Sequence, residues 1–470
     1  MNRKIFYGVA AAILSTATAG AVRAESGYQA SFTTSITYQN VGTAAATISI
    51  TYYTETGTQI PFSPPNLAAG ASSSVFAGNV SNLAAGFQGS AILSSDQPIV
   101  ATLVQVSTGA GTAVLNRPLS NGFASGGPKV LIPTTLKDRF GVTTRFAVQN
   151  ASSGNADFTI KFYNADAGGA LVHTVNFTNV PAGSAKYVDL GTIAAIPANF
   201  NGSATAEAVT SGGSTGAPIV ASALELGTGS TYAAAFEGVT DGSSKVYMPS
   251  ALCNAFGGYY SAYAVQNNGT AAANVSVNYA NGATQSASIA AGAKASFQTC
   301  AATGMPQGYS GSATIDAGAG NIVAIGKVSG LGVTTAFLGA SAGAAKLACP
   351  YVRWSASQYP GGRQRVFLAV QNVGTAEAAS VSIKYIDKNG AQVGAAKTFS
   401  NVAAGAKVNS NASDAGAAAN EFGYYTDGTF GGGAIIEAPA GAQIVAIARV
   451  QTAQSASAGV GEDYNCTAVN

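Results

Sequence analysis

The phrase AYAVQNNGTAAANVSVNY, Ala262–Tyr279, decides the fold because the chain repeats it with small changes at three other places. The related phrases are TYQNVGTAAATISITYY from Thr37, FAVQNASSGNADFTIKFY from Phe146 and LAVQNVGTAEAASVSIKY from Leu368. Their Gln-Asn pairs stand 110, 117 and 105 residues apart. This period is the size of a small domain and too long for a solenoid repeat, which shares its core with its neighbours.

Each phrase contains two short segments in which apolar residues alternate with polar or small ones. In the third copy these are Tyr263 and Val265, followed by Val275, Val277 and Tyr279. Alternation with a period of two predicts strands with one buried face. Between them the Gln-Asn pair closes one strand and begins a turn, where we expect its amides to bond exposed backbone groups rather than a ligand.

Three more landmarks keep the same order in every copy: an Ala/Pro-Ala-Gly turn, a Gly-Ser/Gly-Ala strand start and a fully apolar Ile-Val-Ala strand. We expect the turn glycine to take a positive φ. The turn glycine lies 19 residues before the Gly-Ser strand start in copies one to three. In copy four the turn glycine lies 27 residues before the Gly-Ala strand start, which indicates an insertion there. The turn glycines are Gly70, Gly183, Gly292 and Gly405.

About seven short strands in each ~110-residue copy predict an all-β chain of four tandem immunoglobulin-like antiparallel β-sandwich domains in an extended rod. A jelly-roll or an up-and-down barrel in each copy stays open, since sequence does not fix strand order. Copies two to four begin with a strand that starts at lysine and reaches a proline, and copy one lacks it. The predicted bounds are 1–24 for a signal peptide and 25–127, 128–243, 244–343 and 344–470 for the four repeats.

The N-terminus predicts export. MNRK is basic, an apolar segment follows, and VRA ends at Ala24 with small residues where a signal peptidase cleaves, so the mature chain is expected to begin at Glu25. An uncleaved anchor is the alternative. We therefore predict a protein secreted to the bacterial cell surface, with no membrane span after cleavage. A charged fraction of 9% and a net charge of +2 give no electrostatic reason to bind nucleic acid.

Four cysteines in an exported chain favour disulfides over metal ligation. Cys253 and Cys300 fall in copy three, and Cys349 and Cys466 in copy four. We predict one disulfide within each of these copies, Cys253–Cys300 and Cys349–Cys466. On the chain-entropy account each should stabilise the fold by roughly 3 to 5 kcal/mol.

The VQN-x-G-T-A phrase, the AAG turn, GSA and PIVA together resemble the immunoglobulin-like repeats of bacterial exported and cell-surface proteins. The resemblance implies a filament, sheath, S-layer or adhesin component and brings no catalytic residue. Its motifs are turn and core residues, so they indicate a fold better than a function.

No residue pattern predicts catalysis, a cofactor or a metal, and we expect a protein that is not an enzyme. His173 is the single histidine and has no cysteine in its copy. The turns at Asn164–Asp166 and Asp387–Gly390 carry too few acids for a calcium loop and are interpreted as hairpin turns. Trp354 is interpreted as a plug between sandwich and loop, or as a sugar-stacking or interface residue.

Two functions follow as expectations. The first is a structural subunit of a surface assembly, which self-associates through the strand edge that copy one leaves unpaired. The chain's own loop from Gly109 to Gly127 could instead cover that edge. The second is an adhesin that binds a surface glycan or protein through aromatic side chains at loop tips. The candidate interface residues are Trp354, Tyr259, Tyr260, Tyr424 and Tyr425.

Overall fold

The computed structural model describes residues 4–8, 31–108, 116–227, 233–331, 333–356, 363–416, 421–426, 429–455 and 458–469. Within these ranges the chain forms strands, turns and single 3-10 turns, with no α-helix. The predicted all-β class is confirmed. The strands make antiparallel sheets that follow one another along the chain as four successive pairs. Most of the predicted signal peptide, residues 1–3 and 9–24, lies outside the described residues.

The first and second sheet pairs have the same plan. In the first pair the sheets have the orders β1-β6-β3-β4 and β5-β2-β7-β8, and in the second β9-β14-β11-β12 and β13-β10-β15-β16. The strands of the first pair are β1 Lys4–Gly8, β2 Ser31–Asn40, β3 Ile48–Thr54, β4 Gln59–Phe62, β5 Ser72–Phe76, β6 Gly89–Ser95, β7 Ile99–Thr108 and β8 Leu119–Asn121. Those of the second are β9 Lys129–Lys137, β10 Val142–Asn150, β11 Ala156–Asn164, β12 Ala170–Val180, β13 Ala185–Asp189, β14 Phe200–Thr210, β15 Ile219–Gly227 and β16 Ala233–Glu237.

The third and fourth sheet pairs repeat that plan, with the orders β17-β22-β19-β20 and β21-β18-β23-β24, then β28-β27-β30-β25-β33 and β29-β26-β31-β32. The strands of the third pair are β17 Lys245–Cys253, β18 Tyr260–Asn267, β19 Ala273–Tyr279, β20 Thr284–Ile289, β21 Lys294–Gln298, β22 Tyr309–Asp316, β23 Ile322–Gly330 and β24 Val333–Leu338. Those of the fourth are β25 Lys346–Cys349, β26 Gln364–Asn372, β27 Ala378–Asp387, β28 Lys397–Val402, β29 Lys407–Asn411, β30 Gly432–Glu437, β31 Ile444–Ser455, β32 Ala458–Asn465 and β33 Thr467–Ala468.

One hydrophobic core lies between the two sheets of each pair. In the second pair, Ile132 from β9 and Val148 from β10 are fully buried in the same cluster, although their strands belong to different sheets. The other pairs have equivalent clusters. The alternating residues of the repeated phrase point into these cores, as Val275 and Val277 do, so the chain is built of sandwich-like layers.

The strand order departs from the immunoglobulin arrangement. The pairing of β2 with β5 and of β3 with β6 agrees with it, but β7 pairs with β2 instead of β6. The reason is that the opening strand occupies the other edge of β6, and an eighth strand beyond the predicted seven pairs with β7. The observed order is also neither an up-and-down barrel nor a single meander.

The predicted extended rod is wrong, because the four sheet pairs close into a circle of contacts. The eighth strand of each pair packs against that of the next: β8 contacts β16, β16 contacts β24, β24 contacts β32, and β32 returns to β8. Asn121 of the first pair donates its side-chain amide to the carbonyl of Asn465 of the fourth at 2.8 Å. The extra strand, which sequence reasoning did not count, supplies the surface for this closure.

The recurring Gly-Ser-Ala landmark makes the junctions between neighbouring pairs. Its serine hydroxyl donates to the carbonyl of the turn glycine in the next copy: Ser203 to Gly292 at 2.9 Å, and Ser312 to Gly405 at 2.7 Å. Ser90 makes the same bond to Gly183. All four turn glycines have a φ between 74° and 79°, as predicted, and the carbonyls of Gly183, Gly292 and Gly405 accept the bonds from the preceding pair.

The Gln-Asn pairs bond backbone groups, which supports their interpretation as turn residues. Asn267 donates to the carbonyls of Ala271 and Ile289 at 2.7 and 2.8 Å and accepts from the amide of Gly269 at 2.8 Å. Asn40, Asn150 and Asn372 make the equivalent bonds. Each amide therefore joins the end of one strand to the turn that precedes another.

Both disulfides have the pairing that the sequence predicts. Cys253 bonds Cys300 and closes a span of 47 residues, while Cys349 bonds Cys466 and closes a span of 117. The second ties the opening strand β25 to the end of the last long strand, β32. The C-terminal residues then pair with the free edge of β25 through β33. The final sheet is thus fixed covalently at the point where fraying would begin.

Candidate functional site

A cleft of about 980 Å³ lies between the first and the fourth sheet pairs, where the circle closes. Its lining combines chain segments that lie about three hundred residues apart in sequence. We call it the closure cleft. The residues that line it from the first pair include Ser35, Thr37, Ser72, Ser73, Ser74, Phe76, Val104, Val106 and Arg117, and those from the fourth include Tyr351, Arg353, Arg363, Gln364, Lys388, Asn389, Tyr424, Tyr425, Thr429 and Phe430.

The insertion in copy four supplies one wall of the closure cleft. Tyr424, Tyr425 and Phe430 lie between the turn Gly405 and Gly432, within the stretch that is longer than in the other copies. Phe430 is 64% exposed and packs edge-to-face against Tyr424, with ring centroids 5.9 Å apart. Exposed and half-exposed aromatic rings beside a cleft offer flat apolar faces to a ligand.

Cations lie over these rings. The guanidinium of Arg363 is 5.0 Å from the ring centre of Tyr424, and the ammonium of Lys388 is 4.4 Å from that of Tyr425. Arg363 also forms an ion pair with Glu421, which lies outside the lining of the cleft. These cation–π contacts fix the orientation of both rings and add positive charge to the wall.

Arg353 is the most buried cation of the closure cleft. The residue is 4% exposed, and its guanidinium carbon lies 4.7 Å from the ring centre of Tyr351. Nη1 donates to the carbonyls of Val352 and Gly432 at 2.8 and 3.2 Å. Arg353 forms no ion pair with any carboxylate of the described residues. A buried arginine without an acidic partner is costly to fold unless something else compensates its charge.

The opposite wall, from the first sheet pair, carries hydroxyl groups. Ser72, Ser73 and Ser74 follow one another along β5, and Thr37 lies beside them on β2. The hydroxyls of Thr37 and Ser74 are hydrogen-bonded to each other at 2.8 Å. This wall can both donate and accept hydrogen bonds.

The electrostatic character of the closure cleft is positive. Four basic residues line it, and none of its described lining residues is acidic. Burial raises the pKa of the Tyr424 phenol to about 12, while the nearby positive charges of Arg353 and Arg117 act in the opposite direction. Because the whole chain has only 22 basic residues and a net charge of +2, this is a local concentration of charge.

A second cavity of about 470 Å³ lies between the third and the fourth sheet pairs. It is lined mainly by apolar side chains, among them Phe256, Tyr259, Leu331 and Phe367. Lys407 lines this cavity, and burial lowers its pKa to about 7, with repulsion from Arg449 acting in the same direction. The cavity offers fewer polar anchors than the closure cleft.

The structure separates the predicted aromatic candidates into four places. Tyr424 and Tyr425 line the closure cleft, and Tyr259 lines the second cavity. Tyr260 is 42% exposed and donates its hydroxyl to Asn254 at 3.2 Å. Trp354 is not a surface residue: it is buried in the core of the fourth pair, edge-to-face on Phe367 at 5.5 Å. The interpretation of Trp354 as a plug therefore fits, and a role in sugar stacking does not.

The other singled-out polar residues have structural partners. His173 lies on β12, and its ring stacks on that of Phe162 with centroids 6.4 Å apart. Asn164 accepts from the amide of Asp166, and Asp387 accepts from the amide of Asn389 at 2.8 Å, as hairpin turns require. The described residues contain no group of three or more His, Cys, Asp or Glu that could hold a metal ion. They also include no helix long and apolar enough to cross a membrane.

Sequence reasoning missed Arg353, Lys388 and the whole serine wall. The signals that could have found them were the basic-aromatic stretch YVRW at Tyr351–Trp354 and the longer spacing in copy four. Neither shows which surface these residues face, because the facing wall comes from the other end of the chain.

Comparison with known proteins names no family: no family model and no curated protein matches the chain. Among solved structures, Thermotoga maritima 1070 is 17% identical, with a TM-score of 0.19, over 24% of this chain and 94% of that one. An α-L-rhamnosidase of Streptomyces avermitilis complexed with L-rhamnose is 6% identical, with a TM-score of 0.13, over 88% and 53%. A 1.5-MDa bacterial ice-binding adhesin is 11% identical, with a TM-score of 0.10, over 78% and 90%. TM-scores this low support no argument about function.

Proposed function

We propose that the chain is an exported, non-enzymatic binding protein that holds a surface glycan in the closure cleft. The observation that carries the proposal is a wall of aromatic side chains from the copy-four insertion, with basic side chains of the same sheet pair beside it, opposite a wall of hydroxyl groups. Sugar rings stack their apolar faces on aromatic side chains and exchange hydrogen bonds with hydroxyl and amide groups. The preferred expectation from sequence alone was a structural subunit, and the clustering of aromatic residues beside a cleft favours the binding alternative.

The architecture we propose is four tandem repeats of one sandwich unit, immunoglobulin-like in a broad sense. Support comes from the common strand plan of the four sheet pairs and from a core cluster between the sheets of each. Two disulfides are compatible with an extracellular protein, and the N-terminal sequence favours secretion to the bacterial surface.

The binding function can be tested with a glycan array and a matched pair of variants. Phe430→Ala removes an exposed ring from the cleft, whereas Phe140→Ala removes a ring of similar exposure, 71%, elsewhere. We expect the wild-type chain to bind a subset of glycans, with Phe430→Ala weakening the affinity by about tenfold and Phe140→Ala leaving it unchanged. Equal binding by all three proteins would place the site elsewhere, and no binding by the wild type would contradict the glycan function.

A second candidate function, assembly into a surface polymer, rests on the edge of β6. In the whole chain, Lys4–Gly8 pairs along β6 from Ser95 to Ala91, in the position of the opening strand of the other copies. These five residues belong to the predicted signal peptide, so its removal would leave the edge unpaired. The described part of the alternative cover, residues 116–127, does not lie there, since its strand β8 pairs with β7 in the other sheet. We propose that a strand from another chain can take the vacated position.

A further inference from the structure

We propose that the glycan held in the closure cleft is acidic, and that Arg353 binds its carboxylate or sulfate group. This inference rests on the proposed binding function and adds the chemical class of the ligand.

Arg353 has hydrogen-bonding capacity that the described protein groups do not use. A guanidinium carries five N–H donors in a planar fork. Two bonds go from Nη1 to the carbonyls of Val352 and Gly432, and they hold the side chain in one orientation. The remaining donors of this residue, which lines the cleft, suit a carboxylate or a sulfate, each of which presents oxygens in a matching plane.

The protein holds Arg353 rigidly in place. The ring of Tyr351 covers one face of the guanidinium. On another side the chain passes so closely at Gly423 that a Cβ there would lie 2.6 Å from the Cδ of Arg353. Gly423 has a φ of +79°, so the insertion in copy four requires a glycine at this point for two independent reasons. A side chain that is fixed before binding loses little entropy when the ligand arrives.

The surroundings favour a negative ligand over a neutral one. Arg117 enters from the first sheet pair and Arg363 and Lys388 from the fourth, so positive charge surrounds Arg353, although Glu421 outside the lining balances Arg363. Glu462 is buried outside the lining of the cleft and accepts a hydrogen bond from the backbone amide of Arg117. An anion in the cleft would compensate the buried charge of Arg353 at the point where no described side chain does.

The two walls favour a saccharide over an acidic peptide. Tyr424, Tyr425 and Phe430 present ring faces and edges, and the serines of β5 present hydroxyl groups opposite them. A pyranose ring has an apolar face that matches the aromatic rings and equatorial hydroxyls that match the serines. A uronic acid or a sulfated sugar adds the negative group. An extended acidic peptide would instead pair with the outer edge of β5, which is the edge strand of its sheet, and hexaglutamate in the experiment tests that alternative.

The experiment compares matched ligands by calorimetry on the full chain. Oligogalacturonate, its methyl ester, a sulfated galactan oligomer and hexaglutamate are titrated at low and at high salt. We expect oligogalacturonate or the sulfated oligomer to bind, the methyl ester to bind at least about tenfold more weakly, and added salt to weaken the acidic ligands selectively. Arg353→Gln should reduce the affinity for the acidic saccharide to that for the neutral one, while Arg139→Gln, outside the cleft, should have no effect.

Arg353 is buried, so a second variant guards against a folding defect. Arg117→Gln changes an exposed cation of the same cleft and should weaken the acidic ligand and reduce its dependence on salt. If the methyl ester binds as tightly as the acid and Phe430→Ala weakens both, the glycan function stands and the acidic class is wrong. If hexaglutamate binds and no saccharide does, the glycan function itself is overturned.

Discussion

At the residue scale, the chain places charged groups in junctions where water is excluded. Glu225 of the second sheet pair is 2% exposed as a side chain and bonds Lys327 of the third at 2.7 Å. Glu462 of the fourth pair is as deeply buried, and its Oε1 accepts from the backbone amide of Arg117 in the first. Its Oε2 has no hydrogen-bond partner among the described residues. Glu225 is paired with a lysine, whereas Glu462 is not, so we expect the contribution of Glu462 to folding stability to depend on pH.

Glu462 predicts a loss of stability as the pH rises. Burial raises the pKa of its carboxyl from 4.5 to about 8, against the opposing bond from the Arg117 amide. The folded state therefore holds the proton more tightly than the unfolded state, and the stabilisation present below pH 4.5 is lost as the pH rises toward 8. Over this range Glu462→Gln should flatten the decline in stability by about 1 to 2 kcal/mol.

Thermal unfolding at a series of pH values between 5 and 7 measures this effect. Burial also lowers the pKa of Lys294 and of Lys407 to about 7, so both lose protons near the upper end of this window and there raise stability with pH, equally in wild type and variant. Glu207→Gln, at a half-exposed surface pair, is the matched control and should keep the wild-type slope. Identical slopes in wild type and Glu462→Gln would contradict the prediction.

At the element scale, the same strand plan occurs four times, and the opening strand is the part that differs. In copies two to four it is a nearby segment such as β9 or β17, while in the first pair it is β1, taken from the extreme N-terminus. The sequence predicted the strands of the repeated phrase well because alternation and turn glycines are local signals. It did not predict that β7 pairs with β2 instead of β6. Strand pairing depends on which sheet edge another segment already occupies.

The edge of β6 yields a prediction about the chain that begins at Glu25. Without Lys4–Gly8, that chain should form oligomers through the unpaired edge, visible by light scattering coupled to gel filtration and by electron microscopy. A peptide with the sequence of Lys4–Gly8 should occupy the edge and shift the population toward monomer. A scrambled peptide of the same composition is the control. A uniform monomer without any peptide would refute assembly through this edge.

At the scale of the whole molecule, the closed circle was beyond the reach of the sequence. The landmarks that repeat were predicted as turns and strands, and the disulfide pairs were predicted correctly, but the junction bonds from the landmark serines to the turn glycines were not predicted. The closure joins surfaces from opposite ends of the chain, such as Ser72, whose amide donates to the carbonyl of Lys388 at 3.3 Å. A single sequence carries no signal for such a contact, and so the closure cleft and the role of Arg353 were missed as well.

A single methyl group at Gly390 should open the circle. Gly390 has a φ of +92°, and a Cβ there would lie 2.2 Å from the carbonyl oxygen of Ala69 in the first sheet pair. Gly390→Ala should therefore separate the first and fourth pairs and increase the radius of gyration measured by small-angle X-ray scattering. Gly441→Ala is matched in backbone strain, at a φ of +85°, but its Cβ meets nothing within 4 Å.

The control should lose a little stability and keep its size, because only the strain is common to both substitutions. If Gly390→Ala and Gly441→Ala scatter alike, the contact between the first and fourth pairs does not hold the circle closed. Glycan binding measured on the same samples would show whether the closure cleft depends on the closure.

The insertion in copy four has a consequence for how such a molecule can specialise. If the circle were an assembly of four identical chains, a lengthened loop would appear at all four junctions. The space between neighbouring sheet pairs would then change at every junction. Because the four copies share one polypeptide, one junction can diverge while the other three keep the contacts that hold the ring. Under the proposed glycan function, the protein would present one ligand per molecule, in one fixed direction, from a scaffold whose plan is fourfold.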